Sequence, residues 1–292
     1  MPEAARADAR TGTGRPSTGF AAIDQLLGGL RVGDNVVWRL HGASREPFTA
    51  AFLRAGAALP RLAYVSFDAT AAEVLAQYGT DVFPASSVLL DCSSGRQPKR
   101  VRRAGGKGPS VRVVDDPTNI LAVTAALTAI EREFGPGTRY VFDDLTTIQK
   151  AWGREAALGL FLEHCPRLFD LDTVAYWFLD ADEHDQSFLE RMTQLTQVVL
   201  DVEPSGDDVL VAVAKAQGRH SASAGKRARI SLADGTGTIV DSVGGDRGSS
   251  GERLRQLRMD KGLSQAHLAR QAGITPSALS QAERGVSALS EE

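Results

Sequence analysis

The chain carries 292 residues, 42% hydrophobic and 24% charged, with 33 Lys and Arg against 36 Asp and Glu, an ordinary globular composition with room for two domains. Its formal charge of −3 excludes a uniformly basic nucleic-acid coat, so any contact with DNA has to come from a local basic face. Two cysteines, Cys92 and Cys165, exclude a disulfide framework and a metal knuckle and point to free thiols in a reducing compartment.

Residues 1–18 are rich in Ala, Arg, Gly and Thr, with no apolar period and with acids and Gly where a signal peptide needs an apolar core. A flexible arm is expected there, set at residues 1–14 because a recognisable motif begins at Arg15. From Phe20 a short helix pattern (Phe20, Ile23, Leu26, Leu27) stops at Gly28-Gly29, and residues 36–40 read as a buried strand. Further strands are predicted at 62–67, 88–91, 140–142, 174–179, 198–202, 209–214 and 228–232. Helices are predicted at 47–58, 70–77, 119–133, 156–165 and 185–196. Such alternation predicts an α/β domain over residues 15–240: a mainly parallel sheet covered by helices, with antiparallel strands added after the last helix. The stretch 95–112 holds seven basic residues and no acid; it reads as a solvated loop, with a DNA-backbone track as the alternative. Residues 241–251 are Gly/Ser-rich and read as a linker, and 252–292 show helix pattern with no strand signal. No apolar run reaches the ~18 to 20 residues of a membrane span, so a cytoplasmic protein with no membrane partner is expected.

Three short helices are predicted in the last segment, over 252–261 ending at Gly262, from Ser264 to Gly273 and from Thr275 to Gly285. Ser264 and Thr275 stand where a hydroxyl can satisfy the first free amides, and Pro276 stands at the first helical position, where its missing N–H costs nothing. Leu263 can pack on Leu268, and Ile274 on Leu279, fixing how the chain turns into each helix. The text LRMDKGLSQAHLARQAGITPSALSQAERG, residues 257–285, resembles the phage-repressor and Cro class, the XRE-type helix-turn-helix family. In it Ala269 is small where two helices approach, Gly273 occupies the turn, and Leu268, Ile274 and Leu279 form a miniature core. The resemblance implies that Gln265 caps or touches a phosphate at the start of the second helix, that Thr275, Pro276, Ser277 and Gln281 face the major groove of double-stranded DNA, and that Arg284 holds a phosphate. It also implies an ion pair between Arg258 and Glu283 that joins the first and third helices. Residues 253–284 hold six basic residues against two acids, Asp260 and Glu283, so this segment is locally positive. A three-helix module that touches only protein is the plainer alternative. Family members usually continue with one or two further helices, so the expectation is either that a longer protein was truncated here or that dimerisation is done elsewhere in the chain.

Residues 15–34, RPSTGFAAIDQLLGGLRVGD, resemble the opening of the KaiC-like and RadA-like members of the RecA ATPase superfamily. There the first core strand leads into Gly-x4-Gly-Lys-Ser/Thr, a loop that needs backbone amides, a Lys charge and a hydroxyl to hold phosphate and magnesium. Here the frame runs Gly42-Ala43-Ser44-Arg45-Glu46-Pro47-Phe48-Thr49, with Pro47 for the second Gly and Phe48 for the Lys. Pro47 deletes an amide, Phe48 replaces the cation by a ring, and Glu46 adds a repelling charge. The resemblance places Asp68, at the end of YVSFD, where active members hold the carboxylate that activates water, and Asp143, in YVFDDL, where they hold the magnesium shell. Both are equally suited to cap helices and anchor loops. In AKAQGRHS the family's Lys-x-Arg pair is reduced to Lys215 and Gln217. The acid-rich run Asp180, Asp182, Glu183, His184 and Asp185 reads as a polar loop rather than a metal site, and no nucleophile-elbow spacing is present.

The expectation is a DNA-binding transcriptional regulator, cytoplasmic and nucleoid-associated, with no cofactor and no metal. Its RecA/KaiC-like domain is expected to have lost ATPase activity and to serve oligomerisation, as a homo-oligomer, or sensing. The alternatives are a working ATPase in DNA metabolism or signalling, and a protein-interaction scaffold.

Overall fold

The computed structural model describes residues 15–93, 108–219, 223–233, 237–241, 254–255, 258–259 and 263–283. The expected arm at 1–14, most of the linker and most of the basic stretch lie outside the described residues.

The strands are β1 (Asn35–Leu40), β2 (Arg61–Ser66), β3 (Ser87–Asp91), β4 (Ser110–Val113), β5 (Thr138–Asp143), β6 (Val174–Asp180), β7 (Val198–Ser205), β8 (Asp208–Ala216), β9 (Arg227–Ser231) and β10 (Thr238–Asp241). They form a ten-stranded sheet in the order β10-β9-β8-β7-β1-β6-β5-β2-β3-β4. From β7 to β4 every neighbour is parallel, and β8, β9 and β10 add antiparallel hairpins beyond β7. The central strands are buried on both faces, which is why they read as continuous apolar runs.

Alternate residues of each central strand feed two cores. Val36, Trp38 and Leu40 face one side with α1 (Ala21–Leu27), α2 (Glu46–Arg54) and α3 (Ala71–Tyr78). Val37, Ala63 and Val65 face the other, covered by α4 (Ile120–Phe134), α5 (Leu145–Trp152), α6 (Arg154–Asp170) and α7 (Gln186–Leu195). Helix stops follow local chemistry: α1 ends at Gly28, whose φ of 75° is left-handed and favours Gly. Thr70 and Glu73 close a reciprocal capping box at α3. Among the described residues no helix is long and apolar enough to cross a membrane.

Four elements depart from the sequence expectation. Strand β4 lies at the end of the basic stretch and β10 at the opposite sheet edge; both are short and partly exposed, so neither carries a buried apolar run. Helix α5 offers little more than one turn of apolar signal, Leu145 and Ile148, and is started by Asp144, whose side chain accepts from Thr147 N. Helix α6 runs past Cys165 through Pro166 to Asp170, because Leu168 buries itself in the same core. Asp241, expected to open the linker, is the last residue of β10.

In the C-terminal segment Leu254, Arg255, Arg258 and Met259 are helical, followed by α8 (Gln265–Gln271) and α9 (Pro276–Glu283). Ser264 accepts from His267 N at 3.2 Å and Thr275 from Ala278 N at 3.1 Å, and Gly273 turns between the helices with φ 68°. Ala269 and Leu279 are buried between the helices.

Candidate functional site

The parallel register sets the ends of the central strands in a row, with Leu40 beside Asp180 and Val202, and Ser66 beside Asp91 and Asp143. In doubly wound sheets this edge is where ligands bind. The loop from β1 into α2 keeps the left-handed glycine of a phosphate loop, with Gly42 at φ 69°. Arg45 is the N-cap of α2, and Pro47 sits in the first helical turn, where a missing N–H leaves the helix intact. What Pro47 removes is an amide that a phosphate would need. Phe48 is fully buried, its ring 4.7 Å from Trp38 and 5.6 Å from Phe20 between centroids. Its side chain therefore belongs to the core rather than to the mouth. Thr49 is buried as well.

Above this loop the guanidinium of Arg45 meets three carboxylates. Nη2 donates to Asp68 Oδ2 at 2.7 Å, Nη1 lies 3.1 Å from Asp144 Oδ2, and Nε pairs with Asp143 Oδ1. Asp68 follows β2, Asp143 ends β5 and Asp144 starts α5, so one side chain ties three segments to the start of α2. Tyr64 donates its hydroxyl to Asp143 Oδ2 at 2.5 Å. Burial pushes the Asp143 carboxyl up to about 6, although Arg45 and Tyr64 pull it down. Burial also opposes the charge on Arg45, but Asp143, Asp144 and Asp68 outweigh it and hold the guanidinium more firmly charged than usual.

Asp68 and Asp143 thus come together, as their motif positions imply, but their partner is an arginine of the loop itself. Sequence reasoning missed Arg45, Asp144 and Tyr64. Arg45 stands inside the Gly-x4 frame and Asp144 completes a visible Asp-Asp doublet, so the residues were in view while their meeting was not. The resemblance of the loop to a phosphate loop implies a magnesium nucleotide here, and the residues present do not fit one. A guanidinium stands on the carboxylates that would face the ion. An apolar ring points inward from the lysine position, and the loop lacks the Pro47 amide.

At the other end of the sheet, Lys215 Nζ donates to the carbonyls of Thr193 at 2.7 Å and Gln194 at 3.1 Å, closing the last turn of α7. The motif position implied a lysine facing a neighbour's nucleotide; in this fold it is spent within its own chain. Gln217 is exposed. The next arginine, Arg219, is also committed, bound to Asp34 and to the carbonyl of Gly29. The acid-rich run anchors loops: Asp185 caps α7 through Phe188 N and pairs with Arg154, Asp180 accepts from Asp182 N, and His184 meets Thr146. No group of three or more metal-type ligands occurs among the described residues.

The C-terminal helices present a different surface. Thr275, just before α9, and Pro276, Ser277 and Gln281 on it are all exposed. Behind them Arg258 Nε donates to Glu283 Oε1 at 2.6 Å and Nη2 to Oε2 at 3.1 Å, a bidentate pair in which the Glu283 side chain is 2% exposed. Arg258 holds the Glu283 carboxyl below the usual carboxylate range. Gln265 also joins this pair, one N–H of its Nε2 donating to Glu283 Oε2 at 2.7 Å. Arg284 lies outside the described residues.

Comparison with known proteins agrees with both halves. Residues 251–292 match the family model described as "Helix-turn-helix domain". Among solved structures, a KaiC-like protein of the hyperthermophilic archaeon Pyrococcus horikoshii OT3 superposes with a TM-score of 0.55 at 13% identity, covering 78% of this chain and 99% of that one. The large domain therefore has a KaiC-like α/β fold, followed by a C-terminal helix-turn-helix. No curated protein matches the sequence.

Proposed function

We propose that the protein is a sequence-specific DNA-binding regulator of the XRE type whose KaiC-like domain does not turn over ATP and serves assembly or sensing. The observation that carries the DNA-binding half is the exposed start and face of α9, with Thr275 before the helix and Ser277 and Gln281 on it exposed, while the Thr275 cap and the Arg258–Glu283 pair hold the helix. Ser277 lies one turn before Gln281, so both can meet adjacent base pairs in one major groove. The inactive half is supported by the loop chemistry, in which Pro47, Phe48 and the Arg45 clamp each oppose a bound triphosphate. Mapping binding sites across the source genome tests the first half, with a recurrent motif expected and scattered sequence-independent occupancy counting against it. Magnesium-dependent ATP hydrolysis above a blank would overturn the second. Assembly is assigned to the KaiC-like domain, since such domains commonly stack side by side; sedimentation of the full chain should show an oligomer that survives disruption of the helix-turn-helix by Glu283→Ala.

A further inference from the structure

We infer that the uncovered face of β7, β8 and β9 seats a second copy of this chain, the two sheets meeting face to face about a two-fold axis that runs along β8. The inference rests on assembly through the KaiC-like domain and names the surface that carries it.

Side chains alternate across a strand, and beyond β7 they feed a core on one side only. Val202, Val211, Ala228 and Ile230 join the core that contains the α1 residues Ile23 and Leu27. The residues between them point the other way: Asp201 and Glu203 on β7, Leu210 and Ala212 on β8, Arg227 and Arg229 on β9. All six are half-exposed or exposed, and Leu210 and Ala212 belong to neither core. The register sets them in two rows across the strands, Asp201 beside Ala212 and Arg227, and Glu203 beside Leu210 and Arg229. Each row therefore runs acid, uncharged, base, with its acid and base about 10 Å apart on either side of β8.

That order complements itself in one arrangement. An axis along β8 lays β7 of one copy over β9 of the other, so both acids face bases and the uncharged β8 residues meet in the middle. An axis across the strands would set acids on acids. Within one chain Arg39 Nε already holds Asp201 Oδ1 at 2.6 Å, and Arg229 Nε lies 3.6 Å from Asp208 Oδ2. Glu203 and Arg227 make no ion pair among the described residues. Across the proposed contact these two stand one pair along from each other, within reach of a long side chain.

The arrangement suits a paired reader of DNA. β10 borders β9, so the two-fold puts the two β10 strands on opposite flanks, roughly 20 Å apart across the strands. Residues 242–253 follow β10 and can span at most roughly 40 Å, enough for two helix-turn-helix segments to reach half-sites about 34 Å apart.

The test is sedimentation velocity of the full chain across micromolar concentrations, for the natural sequence, Glu203→Arg, Arg227→Glu and an equal mixture of the two variants. The natural chain should form a dimer, and each reversal alone should raise its dissociation constant at least about tenfold. The mixture should recover most of that loss, because both diagonal contacts of the mixed pair then join opposite charges. An arm that needs no weakened variant is Leu210→Cys, which a short bis-maleimide should join into a covalent dimer. Cys92 and Cys165 are buried, so the natural chain should give no such product. An oligomer that ignores both reversals and yields no Leu210→Cys product overturns the inference and leaves assembly through this domain standing. A mixture no better than its folded components, as judged by circular dichroism, also overturns it. A monomer at every concentration overturns both.

Discussion

The KaiC-like domain and the helix-turn-helix use the same chemistry, an arginine closed on carboxylate, to opposite ends. In the large domain Arg45 sits at the ends of the central strands, and it occupies the carboxylates of Asp68, Asp143 and Asp144 there. In the small domain Arg258 and Glu283 meet behind α9, on the side away from Ser277 and Gln281, and their pairing leaves the face proposed to read DNA exposed. On the proposed function, the effect of each ion pair is set less by its strength than by where it lies relative to the atoms a ligand would touch.

The largest effect expected from breaking this contrast comes from attempting to rebuild the phosphate loop. Phe48 packs on Trp38 and Phe20, so the double change Pro47→Gly with Phe48→Lys places an ammonium in the aromatic core. A buried unpaired charge costs on the order of several kcal/mol; the variant should lose about 10 °C or more of melting temperature and gain no nucleotide affinity by calorimetry. Unchanged melting would show that position 48 can turn into the mouth.

Next in size is Glu283→Ala. It leaves Arg258 and Gln265 without their common partner, which is nearly buried. Hydrogen exchange of α9 should accelerate at least about tenfold, with α/β-core exchange unchanged. Equal protection in both proteins would mean that solvent already screens the pair.

A smaller effect sharpens the comparison through pH. Asp143 has its folded-state carboxyl raised to about 6 from 3.8 by burial, so across that interval the folded chain binds more protons than the unfolded one. Stability from this group is therefore present at low pH and lost as pH rises through about 6. Denaturant unfolding at pH 5 and pH 7 should show a shallower pH dependence in Asp143→Asn. An unchanged slope would place the titration elsewhere.

Much of the fold was legible because its central strands are buried on both faces: Val174 to Leu179 is a continuous apolar run that only a covered parallel strand requires. Edge strands β4 and β10 were not, since exposure removes that signal and pairing with a neighbour supplies the rest. Caps at Ser264 and Thr275 were readable because they act within three residues of themselves. The Arg45 clamp was not, because it joins residues 23 to 99 positions apart and no local period encodes which arginine meets which acid. Lys215 shows the same limit, since motif position could not reveal that α7 carbonyls would take its charge.

A DNA-binding titration of the full chain and of Gln281→Ala, on cognate and scrambled duplexes at several salt concentrations, tests most directly whether α9 reads DNA. Loss of Gln281 should cost about 1 to 3 kcal/mol on the cognate duplex and narrow its advantage over the scrambled one. Arg284→Ala, run alongside, should weaken both duplexes alike and flatten the salt dependence by about one unit. If Gln281→Ala leaves the ratio between the two duplexes unchanged, α9 is not the reading element.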